Sequence, residues 1–297
     1  MTKLTILDGG MGRELQEIGA PFSQPLWSAQ ALIESPQHVA QAHQHFIDAG
    51  AEIITANSYA CVPFHLGNER YQKQGAELAR QAALIAKGCA LNSPDNVLVA
   101  GVIPPAFGSY RPDLFQIEPA LEINSALYEA QAPYVDLWIA ETISSIQEFE
   151  AIHSVLKHSD KDVYYAFSLE DTVSETSTLR SGQPVAIATA LACFTKAKGI
   201  LFNCSVPEVM EQAILDAKRV IDQYDVEIEI GVYANNFVPI ESEHEANDTL
   251  QSLRELTPED YLVYAKHWQN LGASIIGGCC GIGPNHIQTL KNWKLSR

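Results

Sequence analysis

Two adjacent cysteines, Cys279 and Cys280, stand in the run Gly277-Gly278-Cys279-Cys280-Gly281-Ile282-Gly283, near the end of a 297-residue chain with six cysteines in all. Adjacent thiols can pack as small apolar groups, close a strained vicinal disulfide or ligate a metal. A third cysteine, Cys204, directly follows the apolar run Gly199–Asn203. Three sulfurs converging on one point suit Zn2+, which prefers tetrahedral thiolate and imidazole sites. Three protein ligands leave a fourth position open, the mark of a catalytic rather than a structural zinc. Gly277, Gly278 and Gly281 would let neighbouring cysteines turn both side chains to one ion, a shape that a Cβ resists. Cys61, Cys89 and Cys193 fall in loop or helix contexts and read as inert. The nine histidines show no H-x3-H or H-E-x-x-H spacing. His43 and His45 lie on different faces of one helix and read as surface or packing residues.

Whether the sulfurs converge depends on the elements that carry them. Short apolar runs recur at 4–7, 52–56, 97–103, 136–141, 163–169, 199–203, 229–234 and 274–278. Between them lie segments such as 36–50, 77–90, 145–157, 207–222 and 257–272, where apolar residues recur at helical spacing. Ser35-Pro36, Ser205 with Pro207, and Thr257-Pro258 read as helix starts, each with a capping residue and an early proline, and Gly50 and Gly272 as helix C-caps. Eight alternations with continuously apolar strands predict an α/β fold, a single (β/α)8 TIM barrel over residues 1–297. An open doubly wound sheet is the alternative, weakened because no G-x-G-x-x-G follows the first strand.

A barrel gathers its site at the C-terminal strand ends. Those ends carry Asp8-Gly9-Gly10, Asn57-Ser58-Tyr59, Pro104-Pro105, Glu141-Thr142, Asn203-Cys204, Asn235-Asn236 and Cys279-Cys280. Asp8 reads either as a turn residue or as a group that binds an ammonium; Glu141 reads as an ion-pair partner or in the same binding role. A long polar stretch, 235–256, is expected to border the mouth.

The formal net charge of -17 disfavours phosphate backbones, so nucleic acid is not an expected partner. The start of the chain lacks a signal-peptide apolar core, and no 18-residue apolar run exists. With sparse cysteines, this predicts a cytoplasmic enzyme with reduced thiols and no membrane partner.

The stretches 6–15 (ILDGGMGREL), 25–32 (PLWSAQAL), 45–59, 137–145 (LWIAETISS), 200–205 (ILFNCS), 231–236 (GVYANN) and 275–287 (IIGGCCGIGPNHI) carry a family pattern. The chain resembles the homocysteine S-methyltransferases. These zinc-dependent barrels include betaine– and S-methylmethionine–homocysteine methyltransferases and the homocysteine module of methionine synthase. The resemblance implies zinc on Cys204, Cys279 and Cys280, and homocysteine held by Asp8, Gly9 and Glu141. Asn57 and Ser58 complete the candidate substrate contacts. The implied reaction moves a methyl group to the thiol of L-homocysteine, giving methionine, from a sulfonium or quaternary ammonium donor, an S-methylmethionine-like one being favoured. Trp27, Tyr59, Phe107 and Tyr110 could face the donor's cation or pack as rim. Ala56 stands where many relatives have threonine, and the loop 103–115 differs from that of sulfonium-using members. Other readings are methylation of a different thiol or a selenol, a partner-borne methyl carrier, and a non-catalytic zinc- or thiol-binding barrel.

Overall fold

The computed structural model describes residues 3–239 and 252–297. The expected loop 235–256 therefore lies partly outside the described residues. Eight strands appear in the expected places: β1 Thr5–Ile6, β2 Ile53–Thr55, β3 Leu98–Ile103, β4 Leu137–Ile143, β5 Val163–Phe167, β6 Gly199–Asn203, β7 Glu229–Tyr233 and β8 Ile275–Ile276. All pairings are parallel, in the order β1-β8-β7-β6-β5-β4-β3-β2. A parallel bridge between Leu7 and Ile53 joins β1 to β2 and completes the ring. Helices follow the strands, so the fold is a (β/α)8 TIM barrel and the doubly wound alternative is set aside.

Strand side chains alternate between two cores. Leu7, Ile53, Leu137, Ile139, Tyr164, Leu201 and Ile275 fill the barrel. Val99, Trp138, Tyr165, Phe167, Ile200 and Phe202 face outward into the larger core beneath the helices. Burial on both faces explains why the strands read as unbroken apolar runs. The expected strand 163–169 stops at Phe167, where the chain turns into an excursion with antiparallel bridges Leu169–Leu179 and Thr178–Pro184.

Thr257 caps the helix Pro258–Leu271 by accepting from the Asp260 amide, and Gly272 ends it at φ +129°. Two expected caps are corrected. Ser205 spends its hydroxyl on the Leu169 backbone (2.8 Å), because β5 and β6 leave the barrel side by side there. Ser35 meets the His38 ring (2.6 Å) rather than a helix amide. Of the two histidines, His43 is buried in packing and burial lowers its pKa to about 4, while His45 pairs with Glu14 at 2.5 Å.

One buried amide ties the helical layer to the strands behind the mouth. Gln131, the last residue of the helix Ile117–Gln131, donates to the Val102 carbonyl (3.0 Å). Its oxygen accepts from the Val102 amide (3.1 Å) and the Ser58 hydroxyl (2.9 Å). Gln131→Ala should lower unfolding stability by about 3 kcal/mol, since it leaves buried polar groups unpaired. Urea denaturation checks this, and a loss below about 1 kcal/mol would show that water replaces the amide.

Candidate metal and substrate site

The first and last strand ends touch. The Gly278 amide donates to the Asp8 carbonyl and the Gly10 amide to the Ile282 carbonyl, both at 2.9 Å. A Cβ on Gly10 would lie 2.5 Å from the Cys279 carbonyl oxygen, and one on Gly277 would lie 2.6 Å from the Leu7 Cβ. The glycine frame thus serves mainly close packing; within the pair's frame, Gly281 (φ +83°) is the glycine in the left-handed region.

The sulfurs of Cys204, Cys279 and Cys280 gather within 4.8 Å of one another. Cys204 and Cys279 are joined as a disulfide, with their Cα atoms 5.6 Å apart, and Cys280 is a free thiol. A disulfide and a pair of thiolate ligands are exclusive states of the same atoms, so a metal held here requires the reduced pair together with the free Cys280. Burial pushes the Cys280 thiol up to about 11, so without a nearby cation it holds its proton at neutral pH. Cys61, Cys89 and Cys193 are free and lie outside this cluster.

Across the same cavity lie two acids, Asp8 and Glu141. Asp8 accepts at one carboxylate oxygen from the Thr55 amide (2.7 Å) and hydroxyl (3.0 Å). Burial outweighs those bonds and raises its pKa to about 7. Glu141 accepts from the Tyr233 hydroxyl at 3.3 Å. Burial first, and then the Asp8 charge, raise its pKa to about 8. Two desolvated acids that repel each other are stabilised by a cation placed between them.

The expected contacts divide. Gly9 and Asn57 line the cavity, and the Asn57 amide donates to the Ser28 carbonyl at 3.2 Å. Ser58 lies outside the lining, its hydroxyl spent on Gln131. Trp27, Tyr59 and Tyr110 line the cavity, whereas Phe107 packs against Phe115 at 6.4 Å between ring centres. The Tyr110 hydroxyl donates to the Cys204 carbonyl (2.7 Å). Taking the strands to end at 56 and 234 misses Thr55 and Tyr233, the last residues of β2 and β7, which orient the two acids. Tyr233 continues the inward parity of β7, a signal present in the sequence. Trp27, Tyr110, Thr142 and Cys204, all in this lining, have positive φ (48° to 66°), a concentration of backbone strain found at functional sites.

A family model described as homocysteine S-methyltransferase matches residues 5–293. The chain belongs to the homocysteine S-methyltransferase family. Among relatives, a selenocysteine methyltransferase of Astragalus bisulcatus is 26% identical over 96% of this chain and 91% of its own length. The homocysteine S-methyltransferase of Escherichia coli (strain K12) is 25% identical over 97% of this chain and 94% of its own. The metallated form of the E. coli homocysteine methyltransferase MmuM shares the fold, with a TM-score of 0.77 and 24% identity over 98% of this chain and 96% of that one. An oxidised form of that protein matches with a TM-score of 0.76 and 25% identity, over 98% of this chain and 96% of that one.

The acids set a pH signature. Glu141 titrates near 8 in the fold against 4.5 in the unfolded chain, and Asp8 near 7 against 3.8. The folded state therefore holds these protons more tightly, and stability falls as pH rises through 4 to 8. Glu141→Gln should be more stable than the parent at pH 8.5 by about 2 kcal/mol and lose that advantage at pH 4. Urea melts at both pH values check this; equal pH profiles for the two proteins would contradict the assignment.

Proposed function

We propose that this chain transfers a methyl group to the thiol of L-homocysteine, giving methionine, from a sulfonium or quaternary ammonium donor, an S-methylmethionine-like sulfonium being favoured. The observation that carries the reading is one cavity with three clustered sulfurs, a buried acid, Asp8, and a half-buried one, Glu141. Family membership supports it.

The donor set fits zinc: three cysteine sulfurs within 4.8 Å, of the soft type that zinc takes in tetrahedral sites. Cys204, Cys279 and Cys280, in reduced form, would hold the ion. When bound, zinc supplies the positive charge that turns a thiol into a nucleophilic thiolate at neutral pH. Asp8 and Glu141 take the ammonium of the amino acid and give up their protons as it enters. Thr55 and Tyr233 keep those carboxylates aimed into the cavity. Trp27 and Tyr59, which line the cavity, would meet the donor's cation and keep water out, while the Tyr110 ring already carries the Arg180 guanidinium 4.4 Å from its centre. The methyl carbon passes to the acceptor sulfur as its bond to the donor heteroatom breaks, and the donor leaves neutral, so no general acid is required. Among the described residues no helix is long and apolar enough to cross a membrane, and the reading places this small-molecule chemistry in the cytoplasm. A selenol acceptor is a second reading, favoured by the relative named for selenocysteine.

Cys280→Ala should leave the barrel folded and remove both zinc retention by the reduced protein and methionine formation. Metal analysis, circular dichroism and a screen of homocysteine and selenocysteine against several donors check this. A Cys280→Ala protein that keeps zinc and full activity would sink the reading.

A further inference from the structure

Of the non-glycine residues with positive φ among those described, Thr142 (φ +60°) alone is β-branched. A β-branched side chain in that region is a true outlier, so something must hold it there. It lies in a bulge. β4 pairs with β5 at Ala140–Tyr165 and next at Ile143–Phe167, so Glu141 and Thr142 together face the single residue Ala166. The bulge therefore sets where the Glu141 carboxylate points.

The restraint comes from a strand that is not a neighbour. The Thr142 amide donates to Asn203 Oδ1 and Asn203 Nδ2 donates to Thr142 Oγ1, both at 3.0 Å. This closed pair reaches from β6 past the end of β5 to β4. Asn203 is fully buried and is the residue immediately before Cys204, itself at φ +48°. One amide thus fixes the backbone just after an acid and just before a thiol that the proposed reaction uses.

We infer that Asn203 is a positioning residue: its clamp on Thr142 keeps the β4 bulge in its strained form and thereby holds Glu141 and Cys204 in a common geometry. Without the clamp, Thr142 relaxes to negative φ, the 141–142 peptide rotates and the carboxylate leaves its place opposite Asp8. The inference rests on the methyltransferase reading for its functional consequence but not for its structural core.

A comparison of Thr142→Ala, Thr142→Gly, Asn203→Ala and the double variant Asn203→Ala/Thr142→Gly tests it. Glycine removes the cost of positive φ, whereas alanine keeps it. Calorimetric binding of methionine should weaken about 10- to 100-fold in Asn203→Ala, the cost of an unpaired buried amide plus released strain. The double variant should recover at least half of that loss on a logarithmic scale, and Thr142→Gly should bind about threefold or more tighter than Thr142→Ala. Urea unfolding of the same proteins, with no ligand present, should show positions 142 and 203 to be coupled rather than additive. Binding in Asn203→Ala within twofold of the parent, or Thr142→Gly binding no tighter than Thr142→Ala, would overturn the positioning role. If Asn203→Ala does not fold, the glycine-versus-alanine contrast at 142 decides. A parent protein that neither binds methionine nor methylates homocysteine would remove the methyltransferase reading; coupling between 142 and 203 in unfolding would then still uphold the clamp, and additivity would overturn it.

Discussion

The ring closes where β1 meets β8, and the chemistry of the molecule depends on that seam. Asp8 leaves the first strand and Cys279 leaves the last, so an acid and a thiol from opposite ends of the chain become neighbours only if the barrel is complete. Backbone contacts make the closure tight: Gly278 to Asp8, Gly10 to Ile282, and a Gly10 Cα set against the Cys279 carbonyl with no space for a side chain. Each added methyl group there would force the two loops apart, and overpacking of this kind costs about 1–3 kcal/mol wherever it is met. The glycines near the cysteines are thus a consequence of closure, and the position of the sulfurs is in turn a consequence of the glycines.

A site assembled this way is costly to hold empty. Two acids share a desolvated cavity and repel each other, a buried thiol keeps its proton, and four residues of the lining carry positive φ. The acids and the thiol are relieved by a cationic group, an ammonium between Asp8 and Glu141 and a metal ion among the sulfurs, whereas the backbone strain must be borne by the surrounding structure. Strain of this sort persists only where the surroundings over-determine the geometry. Here the surroundings are the Thr55 bonds to Asp8, the Tyr233 bond to Glu141 and the Tyr110 bond to the Cys204 carbonyl.

Much of the architecture was legible in the sequence because a parallel barrel buries both strand faces, and the eight apolar runs follow directly from that. Strand lengths were less so. β1 and β8 reduce to two paired residues each, since the ladder gives way to loop contacts at Asp8 and Gly277. The three clustered cysteines could be found from their strand ends, but the Cys204–Cys279 disulfide could not, because spacing along the chain does not report distance across a barrel mouth. Ser58 shows the same limit from the other side. It stands at a strand end like Asn57, yet a glutamine from a later helix claims its hydroxyl. Thr55 and Tyr233 were hidden because the apolar runs continue through Ala56 and Ala234, which puts both residues inside a run, whereas the ladders end on them.

The two halves of the cavity differ in how they are built, and that difference explains why the acceptor is easier to name than the donor. Glu141 sits on β4 and Cys204 directly follows β6, while Asp8, Cys279 and Cys280 lie just past β1 and β8 and are tied down by backbone bonds such as Gly278 to Asp8 and Cys279 to Ala234. Trp27 and Tyr110 stand on loops, as does Phe237, whose bridge to Leu253 spans the long excursion after β7. Groups on strands hold a reacting atom within narrow limits, while loop aromatics present a π surface that any soft cation of suitable size can meet. A sulfonium and a quaternary ammonium differ little to such a surface, because both spread one positive charge over methyl-bearing carbons. Discrimination between them must then come from polar contacts to the remainder of the donor, and those contacts belong to the loops that vary most readily in length and sequence.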